Sequence, residues 1–283
     1  MLFDYDDTNI DSIYEYAKKL EGMTFQQVLD EYNKSSQKYY VNNKHIGFMI
    51  AEQQAPYAET IPSKNAKGQL GNLLERFYFG YMPNGNQAAD FSKTGIELKQ
   101  TCIDTKKNGD YKAGERLSIT NISYKEPVED DFYKSHVWEK IRRILLVHYL
   151  RDKSKDRFDY EIKFVNLFSP PKDDLSIIIE DYLKIINKIK SGKAHELSES
   201  DTLYLGACTK GANAEKSTVP QYYGGHTLAR KRNFCFKQHY MNYVLHAYVL
   251  KNNVPCESII KTNNLTSNDT FENQILSLIN SHK

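Results

Sequence analysis

Apolar and polar residues alternate across Ile96-Glu97-Leu98-Lys99-Gln100, the period of a β-strand with one buried face. Ile96 and Leu98 then enter the core, and Glu97 and Lys99 emerge together on the opposite face. Helical patterns come before and after. Ile13, Tyr14, Ala17 and Leu20 sit at helical spacing before Gly22, and Thr24-Phe-Gln-Gln27 is a capping box that starts a second helix running to about Tyr32. Together these two predict a helical hairpin. Residues 35–62 are polar and carry no assignable period. Over 67–80, Leu70, Leu73, Leu74 and Phe77 make one apolar helical stripe closed by Gly80. Residues 82–89 read as a turn-rich loop and 106–110 as a hairpin loop. Residues 115–124 predict a strand. A helix capped by Ser135 covers 135–143, and the apolar run 144–150 is a short buried strand. Residues 160–168 form another strand, stopped by Pro170 and Pro171. A long helix follows, capped by Asp173 or Asp174, running to Ile189 and ended by Gly192. A further strand ends at Lys210, and Tyr240, Tyr243, Val244 and Ala247 mark a last packed helix. The pattern is that of a mixed α/β protein.

Composition narrows the class. Of 283 residues, 40% are hydrophobic, 26% charged and 12% aromatic, with a net charge of +2. A nucleic-acid surface must therefore be a local patch, not a property of the whole molecule. No apolar run approaches the roughly 20 residues of a membrane span, and the acidic start Met-Leu-Phe-Asp-Tyr-Asp-Asp is no signal peptide. A cytoplasmic protein with no membrane partner is expected. The 4 cysteines, Cys102, Cys208, Cys235 and Cys256, form no Cys-x2-Cys pair and read as reduced thiols without structural zinc.

Chemistry concentrates in Asp90-Phe-Ser-Lys-Thr-Gly-Ile-Glu-Leu-Lys99. Gly95 permits a turn that returns Asp90 toward Glu97 and Lys99. Two carboxylates offer hard oxygens to Mg²⁺, and a lysine beside them can orient a water or neutralise charge on a phosphate. The spacing by itself also fits the charged outer face of an edge strand. Its surroundings favour chemistry: the run DFSKTGIELKQT resembles the catalytic segment of the MutH family, which holds the mismatch-repair nicking endonuclease and the restriction enzymes that cut at GATC. Further motifs follow in the family's order. Lys67-Gly-Gln-Leu-Gly-Asn-Leu-Leu-Glu75 is similar to the family's signature ahead of the active-site strand, whose glutamate joins the metal site. SHVWEKIRRILLV resembles the segment bearing its active-site lysine, and YLGACTKGANA the loop that reads bases. Arg230-Lys-Arg-Asn-Phe-Cys-Phe-Lys237, basic residues interleaved with aromatics, resembles its final strand.

The resemblance covers residues 11–249 and implies a restriction-endonuclease-like fold, PD-(D/E)XK of the MutH type, with a mixed central sheet flanked by helices. It implies Mg²⁺-dependent hydrolysis of double-stranded DNA that leaves a 5′-phosphate. Asp90, Glu97, the Leu98 carbonyl and Glu75 would hold metal; Lys99 and Lys140 would complete the catalytic set. Read without the family, Glu75 and Lys140 are solvated helix residues and Lys67 is either a phosphate contact or a surface lysine. The DNA-binding set is Lys67, Lys210, Asn213, Arg230, Arg232 and Lys237, with Asn213 contacting adenine or phosphate or serving as a turn amide. Cys208 and Cys235 stand where MutH uses an arginine and a tyrosine, so base reading differs from MutH. The longer GKAHELSE…YLGACTKGANA form looks like the GATC-cutting restriction enzymes, and a type II enzyme specific for GATC is expected. A repair nickase and a catalytically idle DNA-binding module are the alternatives. Residues 1–260 are expected to form the catalytic and recognition domain. Residues 261–283 are expected to be a linker and amphipathic segment that leads to a further, MutH-like domain. Since one site cuts one strand, a double-strand break needs a dimer or pseudo-dimer.

Overall fold

The computed structural model describes residues 3–42, 69–81, 88–210, 217–225 and 227–256. The expectations for residues 43–67, for the 82–87 loop, for Asn213 and for 261–283 fall outside them.

The amphipathic start folds as α1 (Ile10–Lys18), capped by the Asn9 side chain, and α2 (Phe25–Asn42). The capping box forms as expected, with Thr24 N–H donating to Gln27 Oε1 and Gln27 N–H to Thr24 Oγ1. Their connector is stitched to the sheet: Gly22 N–H donates to the Ile162 carbonyl. The stripe at 70–77 starts as α3 (Gln69–Leu73) and continues as one π turn, Leu74–Tyr78, a departure from the single helix expected.

The main sheet has the order β2-β1-β4-β5, built from β1 (Glu97–Thr105), β2 (Tyr111–Ala113), β4 (Ile144–Leu150) and β5 (Glu161–Phe168). β1 and β4 are parallel, with Glu97 opposite Ile144, and the outer pairs are antiparallel. It is therefore the mixed central sheet that was expected. Both faces are covered. Leu98, Leu145, Val147 and Val165 pack with Ile13, Phe25 and Leu73 from α1, α2 and α3. Ile103, Ile144, Leu146 and Phe168 pack the other way. Burial on both faces is why 144–150 reads as an unbroken apolar run.

Beyond the second face lies an antiparallel sheet of order β3-β9-β6, from β3 (Leu117–Asn121), β6 (Leu205–Thr209) and β9 (Arg232–Phe236). A short ribbon pairs β7 (Thr218–Pro220) with β8 (Leu228–Arg230). The helix α4 (His136–Ile141) is capped by Ser135, whose hydroxyl accepts from Trp138 N–H. The long α5 (Lys172–Lys190) and the final α6 (Gln238–Val244) complete this layer. On α5, Asp181 is 1% exposed and accepts from the N–H groups of Leu203, Tyr204 and Leu205. Three backbone donors satisfy a buried carboxylate and fix where β6 starts, hence where Lys210 at its far end arrives.

One reading of the cysteines is corrected. Gly206 pairs with Cys235 and Cys208 with Asn233 across β6 and β9, which brings Cys208 and Cys235 together as a disulfide with Cα atoms 6.2 Å apart. Cys102 and Cys256 are buried and lie outside this disulfide. Among the described residues no helix is long and apolar enough to cross a membrane.

Candidate active site

A tight turn builds the site. Phe91 N–H donates to the Ile96 carbonyl and Gly95 N–H to the Phe91 carbonyl, which folds residues 91–96 back on themselves. Gly95 takes φ +66°, and a Cβ there would meet the Arg142 guanidinium at 2.5 Å. The turn lays Asp90 beside β1, where its Oδ2 accepts the Leu98 N–H at 2.9 Å. Gly95→Ala is expected to destabilise the fold by about 1–2 kcal/mol, the cost of a left-handed backbone with a Cβ. A thermal melt against wild type measures it, and equal midpoints would contradict the strain.

Glu97 and Lys99 emerge on one face of β1, as the alternation requires. Glu97 is only 2% exposed, and two ammonium groups hold its carboxylate. Lys99 Nζ donates to Oε1, and Lys140 Nζ, from α4, donates to Oε2 at 2.8 Å and to the Ala88 carbonyl at 2.7 Å. Lys140 is therefore a buried member of the cluster and not a solvated helix lysine. Glu75 sits on the π turn, where the wider helix is closed by Phe79 N–H donating to the Leu74 carbonyl. Glu75, Asp90, Glu97, Lys99 and Lys140 all line one cleft of about 1290 Å³.

Negative charge is crowded there. Burial, and then the neighbouring Glu97, raises Asp90 from 3.8 to about 6. Burial, and then Asp90, raises Glu75 from 4.5 to about 7. Both values stand above those of the unfolded chain. The pair therefore favours the fold fully below pH 4, and that contribution is lost as pH rises through 6 and 7. Metal-free protein should lose this stability between about pH 4 and pH 7, and Glu75→Gln should flatten the trend in melting temperature. A Glu75→Gln protein with the wild-type pH slope would contradict the assignment.

The donor chemistry fits a hard divalent cation. Its positive charge would offset the burial and the mutual repulsion that raise Asp90 and Glu75. Among the described residues no three His, Cys, Asp or Glu side chains are grouped as a finished metal cage. Mg²⁺ does not ask for one, since it keeps several waters and takes one or two carboxylates; Asp90, Glu97 and the Leu98 carbonyl are the groups that would hold it.

The basic residues divide. Lys210 reaches the cleft with Nζ donating to Asn121 Oδ1 at 2.6 Å, and Arg232 lines it while donating to the Ala207 carbonyl. Arg230 lies on the β7–β8 ribbon and does not line the cleft. Lys237 also lies off it, and its ammonium is spent on the Glu199 and Thr202 carbonyls. Lys67 and Asn213 are outside the described residues. Sequence reasoning missed Arg116 and Lys125, which line the cleft, and did not single out Lys231 within the basic run, which lines it too. Arg116 opens the β3 region and Lys231 separates β8 from β9, so only the strand register reveals which way they point.

Residues 79–181 match the family of the DNA mismatch repair enzyme MutH. The chain is 35% identical over 200 residues to the type II restriction enzyme Sau3AI of Staphylococcus aureus, a match covering 70% of this chain and 40% of that enzyme. It is 27% identical over 178 residues to the DNA mismatch repair protein MutH of Vibrio campbellii, covering 61% of this chain and 75% of that protein. With MutH of Citrobacter koseri the identity is 25% over 210 residues, 72% of this chain and 88% of that one. The chain thus spans less than half the length of the restriction enzyme and most of the repair proteins. The matched family span contains Asp90, Glu97, Lys99 and Lys140 as well as the mixed sheet that carries them, and the chain belongs to the MutH-type, restriction-endonuclease-like family.

Proposed function

We propose that this chain is a Mg²⁺-dependent, sequence-specific endonuclease that hydrolyses phosphodiester bonds of double-stranded DNA, of the type II restriction kind and acting at GATC. The observation that carries it is the convergence of Asp90, Glu97, Lys99, Lys140 and Glu75 on one cleft whose other wall holds Lys210 and Arg232. A carboxylate cluster beside a basic wall suits a phosphate backbone that must be drawn in against local negative charge.

The residues would divide the work. Asp90 and Glu97, with the Leu98 carbonyl, hold the cation, and Glu75 extends the acidic site. A bound divalent cation supplies charge stabilisation at the scissile phosphate and acidifies a water. Lys99, already directed at Glu97 from the same face of β1, orients the attacking water and balances charge on the phosphorus. Lys140 keeps Glu97 in place from the buried side. Water adds to phosphorus and gives up a proton, and the P–O3′ bond breaks with O3′ taking up a proton, leaving a 5′-phosphate and a 3′-hydroxyl. Lys210 and Arg232 contact the backbone or base edges. A DNA enzyme of this kind works in the cytoplasm, and a double-strand break requires a second site from a dimer or a pseudo-dimeric partner domain.

The family match to MutH over 79–181 supports a second reading, a nickase of one strand. Digestion of unmethylated and adenine-methylated plasmid with Mg²⁺, followed by end mapping, separates the two. Linear fragments ending at GATC support the restriction reading, and nicks alone support the other. Ends scattered without sequence preference would contradict specificity.

A further inference from the structure

Tyr81 joins the two chain segments that supply Glu75 and Asp90. It follows Gly80, whose φ of +74° turns the chain after the π turn. Its N–H donates to the Glu75 carbonyl at 3.0 Å. Its ring packs edge-on against Phe91, the neighbour of Asp90, with centroids 5.3 Å apart, and lies beside Phe79. The hydroxyl is buried and has no hydrogen-bond partner among the described residues. Burial holds the phenol well above its ordinary range, and the charges that add to this are Asp90 first, then Glu75 and Glu97. The backbone bond to Glu75 and the ring contact with Phe91 thus put this unpartnered donor between the segments that carry Glu75 and Asp90. Packing alone would ask only for the ring, as Phe79 and Phe91 show; a buried phenol hydroxyl normally has a partner.

We propose that Tyr81 is a positioning residue of this site, its hydroxyl donating to the Asp90 carboxylate in the cation-loaded state. Oδ2 of Asp90 is already held by Leu98 N–H. A second, charge-assisted bond to Oδ1 would fix the rotation of the carboxylate and leave lone pairs of both oxygens for the cation. The inference rests on the metal-dependent nuclease reading. It goes beyond that reading by giving a role to a residue outside the acidic and basic motifs.

Tyr81→Phe removes the hydroxyl and keeps the ring. The expected result is a melting temperature no lower than wild type, DNA affinity without divalent cation within about twofold of wild type, and Mn²⁺ affinity by calorimetry about tenfold weaker, the scale of one hydrogen bond to a charged group. kcat should fall by a similar factor with KM for DNA unchanged. Mn²⁺ affinity and kcat within twofold of wild type overturn the proposal, as does a lowered melting temperature with Mn²⁺ affinity unchanged. Tyr81→Leu, which loses the ring as well, should lower the melting temperature and so separates packing from the hydroxyl. Because the Mn²⁺ titration needs no cleavage, a wild-type protein that binds Mn²⁺ through Asp90 and cuts no DNA would sink the nuclease reading alone. Tyr81 would still be judged by the affinity ratio. A wild type that binds no Mn²⁺ overturns both.

Discussion

Asp90→Ala loses DNA cleavage by about a thousandfold, roughly 4 kcal/mol at the transition state, while still folding and binding DNA. On the proposed reading the carboxylate is one of the two that hold the cation next to the scissile phosphate, and no other described acid occupies its position against Leu98 N–H. DNA binding survives because the basic wall, Lys210 just after β6 and Arg232 on β9, belongs to the other sheet. Removing a negative charge from the cleft should even tighten DNA somewhat in the absence of metal. The fold loses one hydrogen bond and sheds a carboxyl that burial, and then Glu97, hold at a pKa of about 6, so the melting temperature should change little. Gel shift, a thermal melt and a cleavage time course on the same preparation check all three. Lys99→Ala should lose cleavage in the same way. Cleavage by pure Asp90→Ala at a tenth of the wild-type rate would remove Asp90 from the site.

Lys140→Ala behaves differently, losing stability as well as activity. Lys140 is 7% exposed and Glu97 2%, and the lysine makes two bonds, to Glu97 and to the Ala88 carbonyl. Truncation leaves Glu97 buried with Lys99 as its remaining partner and orphans Ala88. Breaking a buried pair by removing one member costs about 3–5 kcal/mol, and Lys99 keeps the loss toward the lower figure. For a chain of this size that lowers the melting temperature by roughly 6–12 °C. The double variant Lys140→Met with Glu97→Gln removes both charges while filling the space. It should recover most of the stability and none of the cleavage. A Lys140→Ala protein as stable as wild type would mean that the buried pair contributes nothing to the fold.

Much of this was legible because short-range patterns carry it. The alternation from Ile96 to Gln100 set the face of Glu97 and Lys99, Gly95 announced the turn that returns Asp90, and the continuous apolar run at 144–150 marked a strand buried on both sides. Ser135 and Thr24 capped the helices that they were expected to cap. What escaped depends on long-range register or on subtle helix geometry. A single π turn differs from an α turn by one residue, which the stripe of Leu70, Leu73, Leu74 and Phe77 cannot reveal. α2 runs past Tyr32 to Asn42, which the sequence did not announce because residues from 35 on show no assignable apolar period. In the run from Arg230 to Lys237, charge density does not say which lysine or arginine faces the cleft. Strand direction sends Arg232 toward it, and Lys237 instead caps backbone carbonyls. The Cys208–Cys235 pair spans 27 residues and follows only from the pairing of β6 with β9.

The most direct measurement is strand scission of supercoiled, unmethylated plasmid by the purified protein with Mg²⁺ and with EDTA, run beside Asp90→Ala. A metal-dependent nuclease site at Asp90, Glu97 and Lys99 requires linear or nicked DNA with Mg²⁺ and wild type, and intact plasmid in the other lanes. Equal cutting in EDTA, or equal cutting by Asp90→Ala, would contradict it.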